Sequence, residues 1–264
     1  MSVSAISPLV IKVGGALLDS QQHLTKLFAV IAQVQQSRPV LLVHGGGSLV
    51  EQWLTALNLP SSKIDGLRVT PREQIPFVVG ALAGAANKQL VAQAKINQIN
   101  AVGLSLADGD IAISQALAAK FGCVGASQGG SGELLKLLIT QHYVPIISSI
   151  GCDEQGQLLN VNADQAAVAV AQSIGAELLL LSDVPGVLDA KRELIPALNA
   201  ENIQQLIAQN VILDGMAVKV NAALATANLI GKPVIIAGWK SPEKLAELSQ
   251  VEAVGTTIYP QTSI

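Results

Sequence analysis

The sequence predicts an α/β sandwich around a mainly parallel sheet with hairpins inserted, and three observations carry that prediction. Aliphatic runs alternate with amphipathic segments from one end of the chain to the other. Half the residues are hydrophobic and only 3% are aromatic, so the core must be built from Ala, Val, Ile and Leu, a palette that suits parallel strands covered by helices. The 264 residues can bury a large core, as one α/β domain or as two lobes of one sheet.

Taken in order, residues 9–13 read as a strand, 21–36 as a helix and 40–43 as a second strand. A helix over 48–57 follows from Leu49, Val50, Trp53, Leu54 and Leu57 at helical spacing. Residues 61–69 are polar and turn-rich, a hairpin outside the main sheet. Thr70 as N-cap, Pro71 at the first position and Glu73 completing a capping box predict a helix running to about residue 97, interrupted by Pro76 and two glycines. A strand over 101–106, hairpin-like material to 128, a helix over 133–141 and a strand over 144–150 come next. A turn and short strand (153–160), an alanine-rich helix (162–173) and a buried strand (177–181) lead to helices over 199–209 and 216–230 and a strand over 234–237. The sheet pattern restarts near Leu181, which divides the chain into lobes 1–180 and 181–264.

The net charge of −3 and pI near 5.6 give no electrostatic reason to bind nucleic acid or an anionic membrane. Mean hydropathy is +0.47, but the most apolar stretch, 166–181, is broken by Gln172, Ser173, Gly175 and Glu177 and falls short of a span of about 20 residues. The N-terminus lacks the basic flank and apolar region of a signal peptide. Cys123 and Cys152 have no paired-ligand spacing. The expectation is a soluble cytoplasmic protein with no nucleic-acid or membrane partner.

Two glycine loops follow the first two strands, Lys12-Val13-Gly14-Gly15 and His44-Gly45-Gly46-Gly47. In an open α/β sheet, ligands collect at the carboxyl ends of strands, where glycines let backbone N–H groups approach an anion. A tight strand-to-helix turn explains a glycine pair equally; three consecutive glycines are harder to explain that way. Gly231-Lys232 precedes Pro233, so it is no P-loop, and Val50 occupies the place of the last glycine of a dinucleotide fingerprint. Lys12 lies in an otherwise apolar strand, either at its end facing a crevice or on an edge facing water. Arg68 offers a fork to a carboxylate or is a surface arginine. Asn160, Asn162 and Asp164 cluster at a strand-to-helix junction, where Asn162 suits a helix cap. Lys219 alone reads as a solvated helix lysine. His23, His44 and His142 are scattered.

These segments, with Gly66-Leu67-Arg68-Val69-Thr70, Asn160-Val161-Asn162-Ala163-Asp164, Ser182-Asp183-Val184-Pro185-Gly186-Val187-Leu188 and Gly215-Met216-Ala217-Val218-Lys219, occur in order over nearly the whole chain. Together they resemble the amino-acid kinase family, most closely its proteobacterial, arginine-insensitive branch that phosphorylates N-acetyl-L-glutamate in arginine biosynthesis. The resemblance implies an open αβα sandwich with an N-terminal lobe for the acylamino acid and dimerisation, and a C-terminal lobe for ATP. It makes Lys12 and Lys219 the cations on the transferring phosphoryl group and Asp164 the residue that holds both. Gly46, Gly47, Arg68 and Asn160 would bind the acylamino acid, and Gly14, Gly15 and Gly46 the phosphate. Asp183, Val184, Pro185, Gly186, Val187, Leu188, Val211, Ile212 and Leu213 would border ATP, although Pro185 falls where family members vary. Mg²⁺ would be held by nucleotide phosphates and water, with no protein metal site. Kinases for aspartate, glutamate or carbamate, a silent sensing module and a dehydrogenase are the other readings; Lys12, Asp164 and Lys219 together speak against a sensor. Only residues 1–8 precede the first strand, too few for an independent helix, so a homodimer without arginine control through a hexamer is expected.

Overall fold

The structure, a computed structural model, describes residues 7–240 and 255–261. The expectation about the N-terminus rests mostly on residues 1–6, which lie outside them. The strands, in chain order, are β1 (Leu9–Val13), β2 (Val40–His44), β3 (Lys63–Ile64), β4 (Leu67–Arg68), β5 (Ala101–Ser105), β6 (Ala112–Ala116) and β7 (Val124–Gly129). They continue with β8 (Val144–Ser148), β9 (Ile150–Cys152), β10 (Leu158–Val161), β11 (Glu177–Ser182), β12 (Ala197–Leu198), β13 (Val234–Gly238) and β14 (Thr256–Ile258). The helices are α1 (Gly15–Leu18), α2 (Gln21–Val34), α3 (Gly47–Ala56), α4 (Ile75–Val79), α5 (Asn87–Ile96), α6 (Glu133–Thr140), α7 (Ala163–Ile174), α8 (Ala200–Ala208) and α9 (Asp214–Ile230).

Eight strands form the main sheet in the order β12-β14-β13-β11-β1-β2-β8-β5. Every neighbouring pair is parallel except β13 with β14. A second sheet, β6-β7-β10-β9, and the β3–β4 hairpin lie outside it. The expected lobe boundary falls inside β11, which pairs with β1 on one side and β13 on the other, so any two lobes share one continuous sheet.

Strand alternation divides the core. Leu9, Ile11 and Val13 pack with Leu27, Phe28 and Ile31 of α2 and Leu90 of α5, whereas Val10 packs on the opposite face with Ala167 and Val170 of α7 and Val220 of α9. Side chains alternate with period two, so Lys12 shares the face of Val10 and lies on the α7 side. Helix α7 begins where the Asn162 side chain accepts hydrogen bonds from the Asp164 and Gln165 N–H groups, at 2.8 and 3.3 Å, and ends at Gly175 in the left-handed conformation.

The helix expected from Thr70 starts instead at Ile75, with Pro76 in its first turn. Thr70 is buried and bridged to Gly122: its N–H donates to Phe121 O and its own carbonyl accepts from Cys123 N. A backbone committed to a strand-like bridge cannot open a helix. Between α4 and α5 the chain takes a π-helical path over Gly80–Ala86. The combined stretch Ile75–Ile96 is long and apolar enough to cross a membrane by length and composition. Within the fold one face of it buries Val78, Leu82, Ala86 and Leu90 together with the polar Asn87 and Gln93, while Phe77 and Ile96 stay exposed. The strand expected over 144–150 divides at Ser149, where the chain leaves the main sheet as β8 and enters the second as β9. Helix α1 and strands β12 and β14, of two to four residues, were too short to show a period.

Candidate active site

The carboxyl ends of β1, β2, β11 and β13 open onto two adjoining recesses. The larger, about 480 Å³, is lined by Lys12, Gly14, Gly15, Asp164, Ser182, Asp183, Gly215, Val218, Lys219 and Trp239, among others. The smaller, about 160 Å³, is lined by Gly45, Gly46, Gly47, Arg68, Asn160, Asn162 and Ala163, among others. The first turn of α7 separates them, with Ala163 on the small recess and Asp164 on the large one.

Lys12 leaves the end of β1 on the α7 side, and its Nζ lies 3.0 Å from Asp164 Oδ1. Lys219, one turn into α9, donates instead to Ser182 Oγ at 2.6 Å. Both ammonium groups therefore stand on the wall of one cavity, Lys12 anchored by a carboxylate and Lys219 by a hydroxyl. Gly14 precedes α1, and Gly46 precedes α3 with φ +153°. The Gly46 φ is one that residues with a side chain rarely adopt, and a Cβ there would also press on Leu82 Cδ2 at 2.9 Å.

In the small recess, Arg68 Nη1 donates to the Glu51 carboxylate and Ser61 Oγ, and Nη2 donates to Gly47 O at 3.1 Å. The Arg68 guanidinium, helped by the Ser61 hydroxyl, holds the Glu51 carboxyl below its ordinary range. Asn160 Nδ2 donates to Thr70 Oγ1 at 3.1 Å, so the buried Thr70 supports a wall of this recess rather than capping a helix.

His44 closes the end of β2 and is wholly buried. Its Nδ1 lies 2.7 Å from Gly45 O and its Nε2 accepts from Asn87 Nδ2 at 3.1 Å, which defines a neutral ring. Burial pushes its pKa down to about 4, further lowered by Lys88 and partly offset by the Gly45 carbonyl. The unfolded chain takes up that proton near pH 6.5 and the folded chain only near 4, so stability is fully present above 6.5 and falls as pH drops between the two. His44→Gln should remove this dependence. Urea denaturation of parent and variant should show their difference in unfolding free energy changing by roughly 2 kcal/mol between pH 7 and pH 5. Parallel curves would place the lost protonation elsewhere.

Of the nine residues expected to border a nucleotide, only Asp183 is on the described wall of the large cavity. Val187 and Ile212 are buried in the core. The Val187 N–H donates to Thr256 Oγ1 and its carbonyl accepts from Ile195 N, which fills its backbone groups as well. Val184, Pro185, Gly186 and Leu188 follow Asp183 in the chain without lining the cavity, and Val211 and Leu213 precede α9. Ser182 and Trp239 stand on the cavity wall, and the buried Asn87 holds His44, with no role expected from sequence for any of the three. Ser182 becomes visible only once β11 and α9 are adjacent, and Asn87 only once α5 is packed on β5 and β8.

The model of the amino acid kinase family matches residues 7–238. The chain belongs to the amino acid kinase family. Within this family it is similar to the acetylglutamate kinase of Vibrio cholerae serotype O1, 53% identical over 262 residues that cover 98% of this chain and 100% of that one. It is also similar to the acetylglutamate kinase of Pectobacterium atrosepticum, 51% identical over 96% of this chain and 99% of that one. Among solved structures, the smu.665 protein of Streptococcus mutans superposes with a TM-score of 0.73 at 26% identity, over 96% of this chain and 98% of that one. The amino acid kinase fold accounts for the parallel sheet and for a ligand crevice at its carboxyl edge.

Proposed function

We propose that this amino acid kinase phosphorylates the side-chain carboxylate of N-acetyl-L-glutamate with ATP, giving an acyl phosphate in arginine biosynthesis. One observation carries the reading: Lys12, Asp164 and Lys219 share one cavity in a chain 53% identical, end to end, to an acetylglutamate kinase. The nucleophile is a carboxylate with an ordinary pKa near 4.3, already ionised at neutral pH. No general base is needed, which suits a site where His44, at the end of β2, is buried, neutral and fully hydrogen-bonded. The acceptor oxygen forms a bond to the γ-phosphorus as the bond to the bridging oxygen breaks and ADP leaves.

Catalysis is then positioning and charge stabilisation. Lys12 and Lys219 face the charge of the transferring group, Asp164 holds Lys12, and Ser182 holds Lys219. Gly14, Gly15 and Gly46 present N–H groups to phosphate. Gly46, Gly47, Arg68 and Asn160 take the acylamino acid in the small recess, and of the segments 183–188 and 211–213 it is Asp183, on the wall of the large cavity, that borders the nucleotide. The carboxylates on the described cavity wall are already engaged, Asp164 by Lys12 and Asp183 by Trp239, a donor set that fits Mg²⁺ arriving on nucleotide phosphates and water. When bound, the ion would supply neutralisation of phosphate charge. The chain works in the cytoplasm, with residues 1–180 and 181–264 as acceptor and nucleotide lobes.

A coupled ADP-release assay with N-acetyl-L-glutamate, L-glutamate, L-aspartate and carbamate tests the substrate. The neutral acetamide should be strongly preferred, because a free ammonium group would enter the recess unpaired; equal kcat/KM for glutamate would sink the assignment. Arg68→Lys should chiefly raise KM for the acylamino acid, since lysine keeps charge but loses the fork. An effect confined to KM for ATP would reverse that role. We also propose a homodimer; a hexamer by light scattering, or strong inhibition by arginine, would contradict it.

A further inference from the structure

Trp239 sits where β13 ends, and it is the one aromatic side chain on the described wall of the large cavity. The chain has only seven aromatic residues of the Phe, Trp and Tyr types, two of them Trp, so an indole at this place is not the product of a generally aromatic core. Its ring is held from several sides. The indole Nε1–H donates to Asp183 Oδ1 at 2.7 Å, and the backbone N–H donates to Ser182 O at 3.1 Å. The His23 ring meets it edge-on with centroids 5.0 Å apart, and His23 is itself held by Ser20 Oγ at 2.6 Å. The Lys240 ammonium lies 5.9 Å from the ring centroid. Despite this support Trp239 remains only half-buried.

We infer that Trp239 is a nucleotide-binding residue, an immobilised aromatic wall against which ATP is packed and oriented toward Lys12 and Lys219. The inference rests on the kinase reading above and adds a residue to it. An indole already fixed by Asp183 and His23 loses little further freedom when a ligand packs on it, so its contact area converts more fully into affinity. An aromatic face accepts a base or ribose without needing a specific hydrogen-bond pattern. The same hydrogen bond keeps the Asp183 carboxylate engaged, which limits repulsion between an exposed anion and a polyanionic ligand. Trp239 also packs against the core cluster that contains α2. Its ring therefore joins the nucleotide cavity to the core on the α2 side of the sheet.

The test uses the Trp53→Phe protein, in which Trp239 is the sole tryptophan and can be excited selectively over the two tyrosines. ADP release with N-acetyl-L-glutamate, measured first on this protein, reports on the kinase reading independently of Trp239. Titration with MgADP should then change the Trp239 emission saturably, with a midpoint equal to the Kd from calorimetry. In the otherwise unsubstituted chain, Trp239→Leu should raise KM for ATP about tenfold and leave KM for the acylamino acid within twofold, while Trp239→Phe should restore most of the loss. Unchanged emission at saturating MgADP in an active enzyme overturns the inference, even if Trp239→Leu fails to fold. Equal rises in both KM values, unrepaired by Phe, overturn it as well and leave Trp239 a packing residue.

Discussion

Asp164→Asn should lower kcat by a hundredfold or more while changing the melting temperature by no more than a few degrees. The expected loss follows from electrostatics. The carboxylate lies 3.0 Å from Lys12 Nζ at the mouth of the cavity, and an amide keeps the shape and an acceptor oxygen but not the charge that holds the ammonium in place. Removing one preorganised donor from a charge-stabilising site typically costs ~10²–10³ in kcat. The small effect on stability follows from exposure and from the helix start. The Asp164 side chain is 60% exposed, and an ion pair this open contributes at most about 1 kcal/mol. The α7 cap is supplied by Asn162, whose carbonyl oxygen accepts from two N–H groups and is untouched by the substitution. Steady-state kinetics beside differential scanning calorimetry separates the two quantities. A large drop in melting temperature with near-normal specific activity would make Asp164 a structural residue of the α7 terminus. Lys219→Ala should likewise act on kcat, and it also frees Ser182 Oγ, so a rise in KM for ATP alone would count against its proposed role.

The parts of this site that were legible in the sequence are those decided within a few residues. Lys12 could be placed in a strand because four aliphatic neighbours define β1, and alternation puts it on the face of Val10. Whether that face met a crevice or water was decided only by the neighbouring strands and α7. Asn162 could be read as a cap because the pattern of polar residues before an alanine-rich run is local chemistry. Thr70 shows the limit of such reading. Its Thr-Pro-x-Glu surroundings match a capping box, yet its backbone pairs with Phe121 and Cys123, about fifty residues away, and a Cβ at Gly122 would stand 2.3 Å from Thr70 O. A long-range bridge overrode a correct local signal. Lys219 shows the same dependence on topology: its hydroxyl partner Ser182 lies 37 residues away and becomes a neighbour only because β11 ends beneath α9. The short strands β12 and β14 complete the sheet edge through pairing with each other and with β13, not through any periodicity of their own.

Arg38→Ala should destabilise the fold by roughly 3–5 kcal/mol, the range found when one partner of a buried ion pair is removed. Arg38 is 2% exposed, and its guanidinium lies at the end of the sheet opposite the active site. Nε and Nη2 donate to Ser7 O at 3.0 and 2.6 Å, Nη2 also reaches Pro8 O at 3.3 Å, and it pairs with Glu177 Oε2 at 3.0 Å. One side chain from the approach to β2 thus ties down the starts of β1 and β11, the two strands whose far ends carry Lys12 and Ser182. Alanine would leave the Glu177 carboxylate, 15% exposed, without its cation and the Ser7 carbonyl without the donors Arg38 supplies. For a chain of this length the melting temperature should fall by about 10 °C. Glu177→Gln should cost less, because the amide oxygen still accepts from Nη2 and both carbonyl contacts remain. Specific activity of the folded fraction should be preserved in both variants, since neither touches the cavities. Chemical denaturation at neutral pH measures the difference. A loss under 1 kcal/mol for Arg38→Ala would mean that water or local rearrangement satisfies these groups and that this end of the sheet is held by its apolar packing alone.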